Sequence, residues 1–319
     1  MSSQVRWGFL GAGGIAPVVA TDFQIAGLKI QAVATRDFER TNRFADQFGI
    51  PNRHKNYEDL VNDPEVDAIY ISTIHPLHVE HGLLAIEAGK HVLIEKPITL
   101  TAADAQKLQD AGTAKNVLVM EAMWTRFLPS MQAILGAIKK GEIGVPKYAY
   151  ADFSVLIPPE KAPRLWNREQ GGGAHYDLGI YPVSFVVSIL GIPDSVEGKS
   201  VMTDTGVDAA TAAILFYNSG ALATVNSCMT LVGSIAASVH GTLGRIEIDT
   251  PFFEQTSFHI YDNDRKLVRS YSEKVEGRGM QFQAIHFEEC LAKGLTESPI
   301  MSMSESVHIM EVMESIYRF

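Results

Sequence analysis

Apolar positions follow two different rhythms along this 319-residue chain. In the first 121 residues, short runs rich in β-branched residues alternate with amphipathic segments. This alternation predicts parallel strands joined by right-handed helical crossovers, with helices covering both faces of the sheet. The predicted strands cover residues 5–10, 30–35, 67–72, 91–95 and 117–121, and the clearest helices cover residues 37–48, 76–88 and 101–115. The pattern is typical of a doubly wound nucleotide-binding fold.

After about residue 122, strand-like runs follow one another without intervening helices, which favours an antiparallel sheet in an α+β domain. These runs cover residues 146–156, 196–202, 211–217, 221–231, 235–240, 245–249, 256–261 and 266–272, with helical segments at 127–140, 179–190, 279–293 and 303–318. Asn218-Ser219-Gly220 and Asp262-Asn263-Asp264 are predicted hairpin turns. We therefore predict an α/β protein with a Rossmann domain over residues 1–122. Residues 123–319 would form a substrate-binding and dimerisation α+β domain with a large open, mostly antiparallel sheet.

Composition narrows the class of protein further. Hydrophobic residues make up 46% of the chain and charged residues 20%, as in ordinary soluble globular proteins. Two cysteines cannot build a disulfide framework or a four-thiolate metal site, which favours a reducing, cytoplasmic compartment. No signal peptide is recognisable at the N-terminus. The net charge of −10, without clustered Lys or Arg, argues against a nucleic-acid partner.

Residues 209–244 contain no Asp, Glu, Lys or Arg. The stretch is long enough to span a bilayer, but its turn and polar residues favour buried strands, so we expect no membrane segment. A sheet with one solvated face would carry charged residues on that face. Three uncharged strands in succession therefore suggest that both faces are covered, and our hypothesis is a homodimer through this sheet. The alternative is a sheet that lies entirely inside one chain.

A glycine-rich loop follows the first predicted strand, and its sequence, Gly11-Ala12-Gly13-Gly14-Ile15-Ala16, fits G-x-G-x-x-A. In such a loop Gly11 permits the tight turn and Gly13 lets the backbone approach a pyrophosphate, while Ala16 lets the helix pack on the sheet. Free N–H groups at the helix start would hold the pyrophosphate. Because the loop follows a strand and opens a βαβ unit, it predicts dinucleotide binding rather than a purely structural turn.

The end of the second strand bears on the choice of cofactor. An NAD site usually has Asp or Glu there, about 20 residues after the glycine loop, to hold the ribose hydroxyls. This chain has Thr35 at that position and Arg36 next, and a guanidinium suits a 2′-phosphate. We predict NADP(H) as the preferred cofactor, with Thr35 and Arg36 as contacts. NAD(H) stays possible, since Asp37 could be the ribose acid after a small register shift, and Arg36 could simply be a solvated residue.

Two further segments, Glu95-Lys96-Pro97 and residues 171–181 (GGGAHYDLGIY), resemble motifs of the glucose–fructose oxidoreductase and inositol dehydrogenase family, the Gfo/Idh/MocA oxidoreductases. The resemblance covers essentially the whole chain, including the order of its two domains. Residues 120–129 and the Asp-Leu-Gly-Ile-Tyr run are most similar to the branch of dimeric dihydrodiol dehydrogenases. Enzymes of that branch depend on NADP and oxidise trans-dihydrodiols and also D-xylose. The resemblance implies dehydrogenase chemistry at CH–OH groups.

Oxidation of an alcohol requires a base for the hydroxyl proton, and Tyr181 is the candidate acid/base. A free phenol titrates near pH 10, so a nearby cation is needed, and Lys96 at a strand end would supply it. Asp177 lies four residues before Tyr181, on the same helical face, where it could orient substrate or Lys96. Pro182 suggests that the helix begins near residue 178, so Asp177 could instead be only its N-cap. Tyr181 could likewise be an ordinary interface aromatic residue.

By the same resemblance, the loop from Thr73 to His78 lies beside the adenine ribose of the cofactor. The predicted cofactor contacts are Gly11, Gly13, Gly14, Ile15, Thr35, Arg36, Thr73, His75, His78, Glu95 and Lys96. The spacing of His75, His78 and His81 also invites a metal site, but no Cys or carboxylate pair completes one. We predict no metal.

Substrate-wall candidates come from segments that flank the cofactor in the family. They are Trp124, Arg126, Phe153, Trp166 and His175, and each could equally belong to the core. Aromatic walls suit sugar faces and aromatic diols alike. His175 departs from the aliphatic residue expected in the family motif, and it could be a structural histidine or a second titrating group.

These observations predict an NADP(H)-dependent oxidoreductase that acts on a sugar, a polyol or a vicinal diol. One alternative is a carbonyl reductase of the same fold, acting on a keto-sugar or dicarbonyl. Another is a dinucleotide-binding sensor without turnover. Lys96, Asp177 and Tyr181 together favour catalysis, because a sensor needs no acid/base group.

Overall fold

The alternating strands and helices predicted for the first part of the chain are present in the computed structural model, which describes residues Gln4–Tyr317. In chain order the elements are β1 (Arg6–Leu10), α1 (Ala16–Ile25), β2 (Lys29–Ala34), α2 (Phe38–Phe48), β3 (Asn52–His54), α3 (Tyr57–Val61), β4 (Ala68–Ile71), α4 (His78–Glu87), β5 (His91–Glu95), α5 (Ala102–Lys115) and β6 (Val119–Ala122). The short elements β3 and α3 were not predicted, because three to five residues are too few to show a period.

The strands form a six-stranded parallel sheet in the order β3-β2-β1-β4-β5-β6. The chain winds outward from β1 in one direction and from β4 in the other, so these two adjacent strands mark the point where the winding reverses. The prediction of a doubly wound parallel sheet is confirmed.

Aromatic rings fill the space between β1, β4 and α1. Phe9 packs edge-on against Phe23 with centroids 5.5 Å apart and lies 4.9 Å from the ring of Tyr70. Trp7 contacts Phe23 edge-on at 5.3 Å. All four rings are buried, and each buried side chain of this size contributes roughly 1.5–3 kcal/mol to stability. This core packs the last turn of α1, through Phe23, against β1 and β4.

The rest of the chain contributes a second sheet and further helices. In chain order the elements are α6 (Pro129–Lys139), β7 (Pro146–Ser154), α7 (Ile180–Leu190), β8 (Ser195–Met202), β9 (Asp208–Phe216), β10 (Leu222–Cys228), β11 (Ala237–Gly241), β12 (Gly244–Ile248), β13 (Phe258–Asp262), β14 (Leu267–Tyr271), α8 (Gln281–Ala292) and α9 (Met303–Ile316). The sheet order is β14-β13-β12-β11-β7-β10-β9-β8, with only the β7/β10 pair parallel. The prediction of a large, mostly antiparallel second sheet is confirmed.

The two faces of this sheet differ. Helix α7 packs against β7 on one face, where Ala149, Ala151 and Val225 are buried. On the other face, register places Ile214, Thr224, Tyr150 and Ser238 side by side across β9, β10, β7 and β11. None of these four side chains is charged, and Ile214 is 39% exposed.

One helix start differs from the prediction. The helix was expected to begin near residue 178, but a π-helical turn over His175–Gly179 precedes α7, so Asp177 lies inside a helical turn and not at its N-cap. Pro182 lies inside this continuous helical stretch, and the wider π-helical turn before it accommodates a residue that has no N–H to donate. Between Gln4 and Tyr317, no helix combines the length and apolar character that crossing a membrane requires.

The described chain divides into two compact units. The first includes the residues up to Trp124 together with Glu276–Val307, and the second includes Thr125–Val275 and the residues from His308 onward. The sequence-based division had assigned all residues after 122 to the second domain. Two buried contacts hold the start and middle of α8 to the first unit: Asp22 accepts hydrogen bonds from the N–H groups of Arg278 and Met280, and Trp7 Nε1 donates to Glu288 at 2.9 Å.

Substitution of Asp22 by Asn should therefore destabilise the first unit. The Asp22 carboxylate is 2% exposed and accepts at 3.0 Å from Arg278 and at 2.8 Å from Met280. In the Asn variant the charged acceptor of these two N–H groups is replaced by a neutral amide. We expect the free energy of unfolding to fall by about 1–3 kcal/mol. Urea unfolding measures the change. Asp46→Asn is the control, since the exposed Asp46–Arg53 pair should contribute little. Equal midpoints for the two variants would contradict the assignment.

Candidate functional site

The carboxyl ends of four neighbouring parallel strands carry most of the residues predicted to bind a cofactor. β1 leads into the glycine loop, β2 into Thr35 and Arg36, β4 into Ser72 and Thr73, and β5 into Lys96. Because parallel strands all end at the same edge of a sheet, these segments come together around the β1/β4 switch point. Open α/β sheets bind ligands at this position.

The glycine loop is shaped by the end of β4. Gly11 has φ +96°, a conformation that favours glycine. A Cβ on Gly13 would lie 2.9 Å from the backbone oxygen of Ser72, so this glycine is needed for close approach of two backbone segments. The prediction had explained Gly13 only by approach to a pyrophosphate. Gly14 is exposed, with no atom within 4 Å of its Cβ position.

The loop offers free backbone donors at the start of α1. Among residues 4–317, the N–H groups of Gly13, Gly14 and Ile15 donate to no protein acceptor, whereas Gly11 N–H is used by Ala34. Free N–H groups at a helix N-terminus bind phosphate through hydrogen bonds and the helix dipole. The residues present therefore fit the pyrophosphate of a nicotinamide dinucleotide.

The residues after β2 have different environments. Thr35 is buried, and its hydroxyl donates to the carbonyl of Asp37 at 2.6 Å and contacts the Thr41 hydroxyl at 3.0 Å. Its side chain thus stabilises the turn into α2. Asp37 is the N-cap of α2, where its carboxylate accepts from Glu39 N–H at 3.0 Å. Arg36 is exposed.

A second cation, not identified from the sequence, lies beside the glycine loop. The Arg40 guanidinium donates to the carbonyl oxygen of Ala12. Burial raises the pKa of Tyr57, and the charges of Arg36 and Arg40 oppose that rise, so both cations lie near this phenol. Arg40 lies four residues after Arg36, in the first turn of α2, and this second basic residue close to Arg36 was the available sequence signal.

The loop after β4 is held by a histidine of α4. The Thr73 hydroxyl lies 3.0 Å from His81 Nδ1, and the His81 ring packs edge-on against Tyr57 with centroids 4.8 Å apart. His75 is buried in a short 3₁₀ turn, 5.6 Å from the ring of His78. Across residues 4–317, no group of three or more His, Cys, Asp or Glu side chains is arranged to hold a metal ion.

His78 connects two loops of the cofactor edge. It is fully buried, with Nδ1 2.9 Å from the Pro97 carbonyl and Nε2 3.1 Å from the Thr73 carbonyl. Burial lowers the pKa of His78 to about 4, so the ring is neutral near pH 7. A fully buried ring between two carbonyls supports the loops that follow β4 and β5, rather than offering an exposed surface.

The carboxylate of Glu95 is fixed at the end of β5. Tyr70 Oη donates to Glu95 Oε1 at 2.6 Å, and the Lys96 N–H donates to Oε2 at 3.2 Å. The next turn is held by Glu121, whose Oε1 accepts from the Ile98 N–H at 3.1 Å. These buried carboxylates set the backbone on either side of Lys96, whose own side chain is half-buried.

In the second unit, the π-helical turn carries Asp177 and leads directly to Tyr181. Asp177 Oδ1 accepts from Arg164 Nη2 at 2.9 Å, and both side chains are partly buried. Arg164 was not among the predicted site residues, although its segment includes Trp166, which was. The described turn thus presents a carboxylate and a phenol one helical turn apart.

Tyr181 lies in a group of aromatic rings. Its centroid is 5.2 Å from that of Phe153 on β7 and 5.4 Å from that of Phe253, and these two phenylalanines stack at 4.3 Å. The sequence analysis named Phe153 but missed Phe253. Phe253 follows β12 in an irregular segment, where no periodicity marks the direction of a side chain.

Arg126 lines a cavity in the same unit. The cavity walls are Thr125, Arg126, Leu128, Ser130, Met131, Ile134, Phe185, Ile248, Phe252 and Phe253. Arg126 is buried, and its Nη1 lies 3.4 Å from both the carbonyl and the hydroxyl of Ser184. Phe253 is shared by the cavity wall and the aromatic group around Tyr181.

The two predicted tryptophans have unlike settings. Trp124 is buried in the first unit, with the Arg278 guanidinium 5.7 Å from its ring. Trp166 is half-buried in the second unit, and its Nε1 donates to the Ile157 carbonyl at 3.0 Å. Trp166 therefore helps to hold the turn that also carries Arg164.

His175 has the contacts of a structural residue. Its Nε2 lies 2.9 Å from the Met313 carbonyl, its ring stacks on Tyr317, and its N–H donates to Asp208 at 2.8 Å. Burial lowers the pKa of His175 to about 4, and burial raises the pKa of Asp208 to about 6. These contacts favour the structural alternative over a titrating group in the substrate pocket.

Comparison with known proteins identifies relatives over the full chain. Residues 5–123 match the Gfo/Idh/MocA oxidoreductase family with an NAD-binding Rossmann fold, and residues 131–247 match the C-terminal domain of that family. The trans-1,2-dihydrobenzene-1,2-diol dehydrogenase of Xenopus tropicalis is 35% identical over 97% of this chain and 96% of its own. The human enzyme of that name is 32% identical over 98% and 96%. Among solved structures, aldose–aldose oxidoreductase from Caulobacter crescentus aligns with a TM-score of 0.89 at 24% identity, covering 99% of this chain and 97% of its own.

The chain belongs to the Gfo/Idh/MocA family of oxidoreductases, as its motifs predicted. It is an oxidoreductase with an NAD-binding Rossmann fold, and its relatives at 31–35% identity are named dihydrodiol dehydrogenases.

Proposed function

We propose that the protein is an NADP(H)-dependent dehydrogenase that transfers hydride between the nicotinamide and a sugar, a polyol or a vicinal diol. Tyr181 is the acid/base, Lys96 assists it, and Asp177 orients the substrate. The bound nicotinamide supplies the hydride acceptor or donor, and the protein supplies orientation and proton transfer.

The setting of Tyr181 is the observation that carries this proposal. Its ring packs against both Phe153 and Phe253, which stack on each other, and it follows the carboxylate of Asp177 by one helical turn. In the oxidative direction the phenolate accepts the hydroxyl proton of the substrate, and in reverse the phenol returns it. A cation is needed to lower the phenol's proton affinity, and this is the role proposed for Lys96. The Asp177 carboxylate can accept a hydrogen bond from a second hydroxyl of the substrate.

The preference for NADP(H) rests on the charges after β2. The exposed Arg36 and the guanidinium of Arg40 both lie near Tyr57, and Arg40 also contacts the glycine loop; a 2′-phosphate needs such cationic partners. The Asp37 carboxylate already caps α2, which weakens its case as the ribose acid of an NAD site. The buried Thr35 hydroxyl is bonded within the turn, so Arg36 and Arg40 are the better candidates for direct contact.

The proposed substrate class rests on the aromatic side chains beside Tyr181. Phe153 and Phe253 lie beside Tyr181, and aromatic side chains are common in the walls of pockets that take a sugar ring or an aromatic diol. The relatives named trans-1,2-dihydrobenzene-1,2-diol dehydrogenases act on a vicinal diol, which is consistent with a substrate that has two adjacent hydroxyls. The two cysteines are free and buried, which supports a reducing compartment such as the cytoplasm.

Purified protein should reduce NADP⁺ in the presence of one group of compounds from a panel of aldoses, inositols and trans-diols. Nicotinamide absorbance follows the reaction. Tyr181→Phe tests the role of the phenol. The variant keeps the ring in its aromatic setting but removes the acid/base hydroxyl, so turnover should fall by orders of magnitude. Its binding of NADP(H), followed by fluorescence, should persist.

Near-normal turnover in Tyr181→Phe would move the proton transfer to another group. Tight NADP(H) binding without turnover on the panel would instead favour the reductase alternative, tested with keto-sugars and dicarbonyls. Absence of turnover on those compounds as well would favour the dinucleotide-binding sensor.

Arg36→Asp should raise the KM for NADP⁺ far more than the KM for NAD⁺. The substitution removes a cation and places a carboxylate where it repels the 2′-phosphate but can accept from a ribose hydroxyl. Parallel steady-state kinetics with both cofactors measure the ratio. Arg43→Asp on the exposed face of α2 is the control, because Arg43 pairs only loosely with Asp37 at 3.9 Å. Equal effects of Arg36→Asp on the two cofactors would remove Arg36 from the phosphate site.

We also propose that a second copy of this chain covers the face of the large sheet that carries an uncharged row of side chains between Glu197 on β8 and Glu247 on β12. The row of Ile214, Thr224, Tyr150 and Ser238 offers adjacent side chains without charge, and two-fold symmetry would match it to itself.

Light scattering at micromolar concentration should therefore report a dimer. Ile214→Glu should shift it toward monomer, because a buried unpaired carboxylate is costly at an interface. Leu295→Glu is a control, since Leu295 is 38% exposed in the first unit, close to the 39% of Ile214. A monomeric mass for the unmodified protein would exclude this interface.

A further inference from the structure

Arg164 lies in a short 3₁₀ turn, Pro163–Trp166, and contacts the carboxylate of Asp177 thirteen residues later. Arg164 Nη2 and Asp177 Oδ1 are 2.9 Å apart, with side-chain exposures of 28% and 15%. This is a charge-assisted hydrogen bond to a residue of the proposed site. Arg164 itself was not predicted to contact cofactor or substrate.

The backbone around Arg164 is clamped to the glycine run that leads into the π-helical turn. A Cβ on Gly172 would lie 2.6 Å from the Arg164 oxygen and 2.5 Å from the Leu165 oxygen, so only glycine permits this approach. The Gly173 N–H donates to the Leu165 carbonyl at 2.8 Å. The Trp166 indole, bonded to the Ile157 carbonyl, ties the other side of the same turn. The base of the Arg164 side chain is therefore fixed relative to the segment that begins the Asp177 turn.

The ion pair is poorly built for stability alone. Arg164 Nη1 is buried and makes no hydrogen bond within the described part of the chain, so burial of this guanidinium is only partly compensated. Partly buried pairs with unsatisfied donors contribute little to stability, or even reduce it. The Glu142–Arg269 pair of the same unit is different, because two guanidinium nitrogens contact two carboxylate oxygens at 2.6 and 3.0 Å. By contrast, one guanidinium nitrogen of Arg164 contacts one carboxylate oxygen of Asp177.

We propose that Arg164 is a positioning residue that orients the Asp177 carboxylate for substrate binding. By holding Oδ1, the guanidinium fixes the orientation of the carboxylate that is proposed to bind the substrate. Arg164 acts through Asp177 and touches neither cofactor nor reacting atoms. The inference rests on the proposed function, in which Asp177 orients the substrate that Tyr181 deprotonates.

The test compares Arg164→Met, Arg164→Lys, Asp177→Asn and the double variant Arg164→Met/Asp177→Asn. Arg164→Met should lower kcat/KM about 10- to 100-fold, the size expected for a misplaced orienting group, with unchanged NADP(H) binding. Arg164→Lys should recover part of the loss, because an ammonium can still hold one oxygen. The double variant should be no worse than Asp177→Asn, since both changes remove the same function.

Arg269→Met is the matched control for loss of an ion pair in the same unit. It should lower the melting temperature and leave kcat/KM unchanged. Crystal structures of the unmodified protein and of Arg164→Met give a readout independent of turnover, and the Asp177 carboxylate should lose its single orientation in the variant.

Two outcomes overturn the inference in distinguishable ways. If Asp177→Asn is impaired while Arg164→Met keeps normal kcat/KM, or keeps the Asp177 orientation in its crystal structure, Arg164 has no positioning role. If Asp177→Asn itself turns over normally, Asp177 leaves the proposed function and the role of Arg164 falls with it. Additive losses in the double variant would also count against the inference, because independent effects indicate independent structural defects.

Discussion

The close approach of Gly13 to the carbonyl of Ser72 determines the geometry on which the cofactor edge depends. No side chain fits between these two backbone segments, so the loop after β1 lies directly against the end of β4. In the same loop, the N–H groups of Gly13, Gly14 and Ile15 at the start of α1 donate to no acceptor within residues 4–317, so they are available to a ligand.

Around this contact, several residues that resemble ligand contacts serve the scaffold. His78 lies between the carbonyls of Thr73 and Pro97, and the hydroxyl of Thr35 is bonded within the turn into α2. Each polar group is used inside the protein because a buried donor or acceptor without a partner is costly. Arg36 is exposed, and Arg40 is exposed apart from the hydrogen bond that it donates to the Ala12 carbonyl, so these two cations are the better candidates for contact with a charged ligand.

In the second unit, the need to pair buried polar groups also gives His175 and Asp177 different roles. His175 and Asp177 lie in the same π-helical turn, but His175 points to the carbonyl of Met313 and Asp177 pairs with Arg164. Burial keeps His175 neutral, so it cannot exchange a proton near pH 7. Tyr181 follows the turn among the rings of Phe153 and Phe253. The π-helical turn thus places His175 in the interior and Asp177 in contact with Arg164. Tyr181 then follows in the first turn of α7.

The sequence by itself determined the class of fold, the glycine loop and the family, because these depend on local periodicity and on motifs with fixed spacing. Apolar period, turn residues and strand ends are properties of neighbouring positions, and they predicted both sheets apart from the short strand β3 and small errors at element ends. Only the tertiary structure decided that Glu276–Val307 belongs to the first unit, that His175 faces inward, and that Phe253 and Arg164 join the site. These outcomes depend on contacts between residues far apart in the chain, where packing and the need to satisfy buried polar groups set the direction of each side chain.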